Sequence, residues 1–389
     1  MKLKNLLSMR RIHHLQNPIR ILGFELLALV MFCDTSIAQP HHRVDLKNVP
    51  VIDMHTHPAR ALYDTLSTTE AYNKELKLRV AAMDASGVRK QILLSHGFET
   101  TKAPNLTQVN SEKEASYFLK AEPERFVVFT TVDFSQMNSP DFTAKAIEHL
   151  EKTVREGARG MKFELGKPLL HFMPMDDPRL DPIYDKAAEL GIPIMYHCND
   201  PEDFFYPINQ FNFWLGANKG KEGTEQGYWG RLDKFVSREQ LMRERENMFH
   251  KHPNTTFIMA HFGWFERQLP LLADIFDRYP NVYVEVSCAL DNLARSPKES
   301  AAFLTYYSNR IMFGMDEGTR PVMQGGWEGF YNRYFAIFES DQDDLPVLKQ
   351  PRAWNTVHGL NLSKEVIERI YYKNAEELLA RPVHLPPAH

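Results

Sequence analysis

Eight short apolar runs, rich in β-branched and aromatic residues, recur along the 389-residue chain with helix-like stretches between them. The expected strands are Val51–His55, Lys90–Ser95, Phe126–Val132, Gly160–Leu165, Ile192–His197, Thr256–His261, Asn281–Ser287 and Arg310–Gly314. Thr69–Ser86, Ala144–Glu156, Leu180–Leu190, Arg238–Lys251 and Phe265–Arg278 carry apolar residues at helical spacing. Gly87 and Gly191 stand where two of these helices should end. Strand and helix in alternation predict an α/β chain whose parallel sheet closes into a (β/α)8 TIM barrel. A doubly wound sheet is disfavoured, because no glycine-rich phosphate turn follows the first strand. No Pro- or Ser-rich linker divides the chain, so residues 39–389 are expected to form a single domain.

Residues 1–38 read differently. Lys2, Lys4, Arg10, Arg11 and Arg20 precede the apolar run Ile21–Phe32, and Ser36 and Ala38 are the small residues a signal peptidase reads. The run is too short to span a bilayer comfortably. The expectation is a signal peptide cleaved near Ala38, giving a periplasmic or secreted protein with no stable membrane insertion after cleavage. Glu25 within the run suits the other reading, an N-terminal helix of the folded domain. The formal charge of −4 becomes more negative once the basic leader is set aside. An acidic chain without a basic track argues against a nucleic-acid partner. Cys198 and Cys288 lie in separate strand-like segments and are read as buried thiols rather than a disulfide.

Two connections, about 199–237 and about 317–362, are too long for plain turns. They predict inserted loops after strands 5 and 8, at the mouth of the barrel. The first carries Phe204, Phe205, Tyr206, Phe211, Phe213, Trp214, Tyr228 and Trp229. Two readings stay open for it, a lid over a flat substrate or a small subdomain packed on itself. In the second, Trp327, Phe330, Tyr331, Tyr334, Phe335 and Phe338 fall at helical spacing, which predicts a buried helix face.

The chemistry gathers at strand ends. Alternation along the first strand sends His55 and His57 to one side, where two imidazoles can reach one metal ion. The fifth and sixth strands end in His197 and His261, and the eighth runs into Asp316. Any one of these could be a satisfied structural side chain. In a barrel, however, all these ends open on one mouth, and four histidines with an aspartate converging there read as a metal site.

The series IDMHTH, MYHCN, MAHFG and FGMDEG, closing with YKNAEEL at Tyr372–Leu378, resembles the amidohydrolase superfamily. Within it, the likeness is to the branch that contains aminocarboxymuconate-semialdehyde decarboxylase, and it spans roughly Val51 to Leu379. The resemblance implies that His55, His57, His197 and Asp316 hold a divalent metal, with zinc expected and one ion favoured over two. It makes His261 the catalytic histidine and Asp316 a second proton acceptor. Lys162 falls where two-metal members carry a carbamylated bridging lysine. In a one-metal branch it reads instead as a contact for a substrate carboxylate, or as a salt-bridge partner of Glu164. Arg320, beyond Asp316, is another candidate for an anionic substrate group. Glu285 and His96 read as supporting side chains.

Such a ligand set keeps a place for water and lowers its pKa. The expected reaction is hydrolysis of an amide, lactone or ester in a small, carboxylated or aromatic molecule. Loss of carbon dioxide is the alternative reaction, and a non-catalytic metal-binding protein is a third reading. A homodimer is compatible with the sequence.

Overall fold

The computed structural model describes residues 46, 48–58, 68–97, 108–207, 209, 211, 212, 214, 229, 230, 232–317, 326–348 and 356–385. The expected signal peptide, Arg320, Phe213 and Tyr228 lie outside the described residues. Eight strands pair in sequence order, every pair parallel: β1 (Val51–Thr56), β2 (Val88–Leu94), β3 (Phe126–Thr130), β4 (Gly160–Phe163), β5 (Ile194–Tyr196), β6 (Phe257–Met259), β7 (Val282–Glu285) and β8 (Ile311–Met312). The two edges of this sheet also meet. Met54 N–H donates to the Phe313 carbonyl at 2.9 Å, Asp316 N–H to His55 at 2.7 Å, and His57 N–H to Glu317 at 2.8 Å. The barrel is therefore joined at the residues expected to carry its chemistry.

Helices follow the strands: α1 (Thr69–Ser86), α2 (Gln108–Ala121), α3 (Phe142–Arg155), α4 (Asp181–Leu190), α5 (Arg238–Lys251), α6 (Leu269–Arg278), α7 (Pro297–Tyr306) and α8 (Gly326–Glu339). Their ends obey local chemistry. Thr68 and Ser237 cap α1 and α5 by accepting from Ala71 N–H and Gln240 N–H. Gly87 (φ 70°) and Gly191 (φ 74°) close α1 and α4 in the left-handed conformation that glycine adopts without a Cβ clash. The aromatic stripe of α8 is buried as its spacing predicts.

Two apolar layers share the strands. Val51, Val284 and Phe313 face the helices, whereas Ile52, Met54, Ile92, Phe129, Met195, Ile258 and Met312 fill the barrel interior. Ala375 and Leu378, from the C-terminal helix Asn374–Leu379, join the interior group. Strand alternation then carries the inward face up to the mouth: Met195 leads to His197, Met312 to Asp316, and Lys162 and Glu285 sit on the same face as their strands' other inward residues. β1 needs a correction to simple alternation, because Ile52 and Met54 already point inward. The β1–β2 register slips by one residue between Asp53 and Thr56, the mark of a bulge, and this brings His55 and His57 to the mouth. Among the described residues no helix is long and apolar enough to cross a membrane.

Candidate metal centre

His57 is buried at the end of β1, and its Nδ1 lies 3.1 Å from the Leu94 carbonyl. A carbonyl only accepts, so this nitrogen carries the proton and Nε2 is left as a lone pair. That lone pair faces Asp316 Oδ1 at 3.1 Å. His55 repeats the arrangement: Nδ1 meets Glu285 Oε1 at 2.8 Å, and Nε2 meets the same Asp316 Oδ1 at 3.2 Å. Burial, together with the neighbouring His96, holds His57 down to about 3, so the imidazole is uncharged. Burial opposes charge on His55 as well, but the Glu285 and Asp316 carboxylates outweigh it and raise its pKa. The carboxylates that favour a proton on His55 favour a cation there, and with both Nδ1 atoms engaged the two Nε2 atoms aimed at Asp316 Oδ1 can take a metal ion in that proton's place. His55, His57 and Asp316 therefore fit a metal.

A second set overlaps the first. His261 Nδ1 lies 2.8 Å from Ser287 Oγ and 3.2 Å from the Ser287 carbonyl, which fixes its proton there. Its Nε2 then faces His197 Nδ1 at 3.0 Å, while His197 Nε2 lies 3.0 Å from Asp200 Oδ1. With His197 donating to Asp200, the two facing nitrogens are again both acceptors. Burial lowers His261 to about 3 and His197 well below the usual histidine range. Among the described residues, the groups close enough to hold a cation are His55 with His57 and Asp316, His55 with His261 and Glu285, and His261 with Cys288 and Asp316. The structure thus gathers His55, His57, Asp316 and His261, and it places His197 against His261 rather than inside any of those three groups.

Glu285 organises both sets. Burial raises its pKa, but His55 and His261 more than compensate and hold it at about 2. Besides His55, it accepts from the backbone N–H of His261 at 2.7 Å, from Ser287 N–H at 2.7 Å and from Ser287 Oγ at 2.8 Å. Asp53 supports the mouth from below: its carboxylate accepts from the N–H groups of His55 and Met315 and from the Tyr331 hydroxyl.

Lys162 is buried on β4 inside the barrel, where burial lowers its pKa against the pull of Glu164. Glu164 takes its ion pairs from Lys167 at 2.8 Å and His96 at 3.0 Å, not from Lys162. The His96 ring in turn stacks on His57, 4.2 Å between centroids. From the long connection after β5, Trp214 packs edge-on against Trp264, and Trp264 stacks over the His261 ring at 5.0 Å.

The sequence reading missed Ser287 and Cys288. Glu285, Ser287 and the inward residue Tyr283 alternate along β7 and its continuation, so period two could have found Ser287. Cys288 could not be found that way. It is half-buried rather than buried, and its Sγ lies 3.2 Å from Asp316 Oδ2 because its φ of 60° breaks the strand. His261 (φ 56°), Phe262 (φ 59°), Trp264 (φ 55°) and Asp316 (φ 59°) share this left-handed conformation. It costs non-glycine residues about 1 kcal/mol or more each and gathers at functional sites.

The amidohydrolase family model matches residues 52–381. No curated protein matches the chain. An uncharacterised TIM-barrel protein from Bordetella bronchiseptica is 14% identical, with 85% of this chain and 98% of that one covered and a TM-score of 0.53. A 2,6-dihydroxybenzoate decarboxylase from Rhizobium is 14% identical, with 85% and 98% covered and a TM-score of 0.51. A dihydroxybenzoic acid decarboxylase from Polaromonas, with bound manganese and 2-nitroresorcinol, is 15% identical, with 85% and 96% covered and a TM-score of 0.50. These structures share the fold. The family rests on the sequence match, which runs from β1 through β8 to the C-terminal helix. The chain belongs to the amidohydrolase family and is an enzyme of that superfamily.

Proposed function

We propose that the protein is a metal-dependent hydrolase that opens an amide, lactone or ester bond in a small, carboxylated or aromatic molecule. The observation that carries this reading is the convergence of His55 Nε2 and His57 Nε2 on Asp316 Oδ1, beside an uncharged His261. His55, His57 and Asp316 would hold the ion, with His197 as the further ligand. A single zinc suits such a set of imidazoles and carboxylate. A divalent ion there supplies Lewis acidity toward a carbonyl and makes water more acidic.

The chain's own residues supply the proton transfers. Ser287 pins the His261 proton on Nδ1, so the Nε2 lone pair is free to take a proton and return it to a leaving group. Asp316 is the second acceptor. Trp264 covers one face of His261 and keeps water from it. Lys162 offers its ammonium group to a substrate carboxylate. The basic leader and apolar run at 1–38 support action outside the cytoplasm.

Decarboxylation is the second reading. Lys162 favours it, since an amine buried beside the centre would draw a carboxylate into reach. One experiment separates the two. Metal-loaded protein is offered lactones, amides, esters and aromatic acids, and the products are weighed. A gain of about 18 mass units supports hydrolysis, a loss of about 44 supports decarboxylation, and no turnover across the panel would sink both.

A further inference from the structure

At the end of the barrel opposite the metal centre lies a cavity of about 750 Å³ that none of the chemistry above uses. Arg89 and Lys90 reach it from the start of β2, Arg125 from the approach to β3, and Arg159 from the approach to β4. Arg89 and Leu94 are five residue steps apart along β2, so the two ends stand roughly 17 Å apart. Glu124 and Glu376 are the carboxylates on the cavity wall, so cations outnumber them there on a chain whose formal charge is −4.

The cations are not equally committed. Arg89 pairs with Glu376, and Arg125 is fixed by Asp84 at 2.7 Å and by the Arg89 and Val88 carbonyls. Lys90 bonds the Glu124 carbonyl at 2.9 Å, and its ion pair with the Glu124 carboxylate is 3.7 Å long and open to solvent. Among the described residues the Arg159 guanidinium bonds only the Ala158 carbonyl at 3.2 Å. Leu119, Val127 and Leu379, each half-buried, supply an apolar floor. The volume falls within the range of small-molecule sites.

We propose that this cavity binds a small organic anion, a carboxylate, sulfonate or phosphate ester with an apolar body. Arg159 and Lys90 hold the anionic group, and the apolar body lies on Val127 and Leu379. Leu379 ends the C-terminal helix whose Ala375 and Leu378 fill the barrel interior, so an occupant ties that helix to β2, β3 and β4. Ligand that binds only the folded chain raises its melting temperature.

The test uses the full chain, with naphthalene-2-sulfonate and inorganic phosphate as probes, followed by calorimetry and thermal unfolding. Lys90 and Arg159 are partly or fully exposed, so the double variant K90E/R159E is expected to fold with unchanged metal content. Saturable naphthalene-2-sulfonate binding that weakens by about tenfold or more in the variant, with a matching loss of the melting shift, supports the site. Phosphate binding as tightly as the sulfonate would overturn the role given to the apolar floor. No saturable binding to the natural chain, or equal binding by the variant, would overturn the proposal.

Discussion

Gly314 and Glu285 approach so closely that a β-carbon on the glycine would fall 2.2 Å from Glu285 Oε2 and 3.1 Å from His55 Cβ. The contact sits where the Glu285 carboxylate grips His55, so space at residue 314 governs the geometry of the centre. Gly314→Ala should cost about 1–3 kcal/mol of stability by overpacking and should weaken metal retention as well. Urea unfolding and metal analysis on one preparation check this; a Gly314→Ala variant equal to the natural protein in both would refute it.

Glu285 acts on the proposed metal through its ligand His55, and it also holds the backbone N–H of the proton carrier His261. Replacing it with Gln keeps the shape and removes the charge that orients the His55 ring. Metal affinity should fall by about 10–100-fold, the usual effect of losing a carboxylate that holds a ligand histidine. A competition titration against a chelator measures it.

His261→Asn should separate chemistry from metal binding. With the proton carrier gone, turnover should drop by about 10²–10⁴-fold, while metal content stays near that of the natural chain. Paired kinetic and metal measurements test this, and undiminished turnover would remove His261 from the mechanism.

His261 also sets a pH dependence. Burial holds its pKa at about 3 in the folded chain, against 6.5 for an ordinary imidazole. The unfolded chain therefore binds a proton that the folded chain refuses, so this contribution is complete above pH 6.5 and is lost as pH falls toward 3. Asp53, pushed up to about 7 by burial, acts in the opposite sense between 3.8 and 7, so the natural chain alone does not isolate the histidine. Metal-free natural protein should lose about 2 kcal/mol more than His261→Asn between about pH 7 and about pH 5. Equal losses in urea unfolding would contradict the buried, neutral assignment.

The barrel was legible because strand period and helix period differ, and because Gly87 and Gly191 mark helix ends by a conformation other residues avoid. That His55, His57, His197, His261 and Asp316 come together at one mouth was legible because barrel topology brings strand ends together whatever their separation in sequence. Side-chain orientation was less so. The bulge after Asp53 is a property of pairing with β2, and no pattern within β1 announces it. Cys288 reaches Asp316 through a left-handed residue, which strand alternation cannot anticipate. The choice of Lys167 over Lys162 as the partner of Glu164 depends on a turn after β4 that brings residues three apart together.

The central claim is that His55, His57 and Asp316 hold a metal ion. Elemental analysis of the purified natural chain and of His57→Ala, both dialysed against metal-free buffer, tests it most directly. The account predicts about one equivalent of a divalent transition metal in the natural chain and a small fraction of that in the variant. A folded natural chain that holds no metal, or a variant that retains as much as the natural chain, would contradict it.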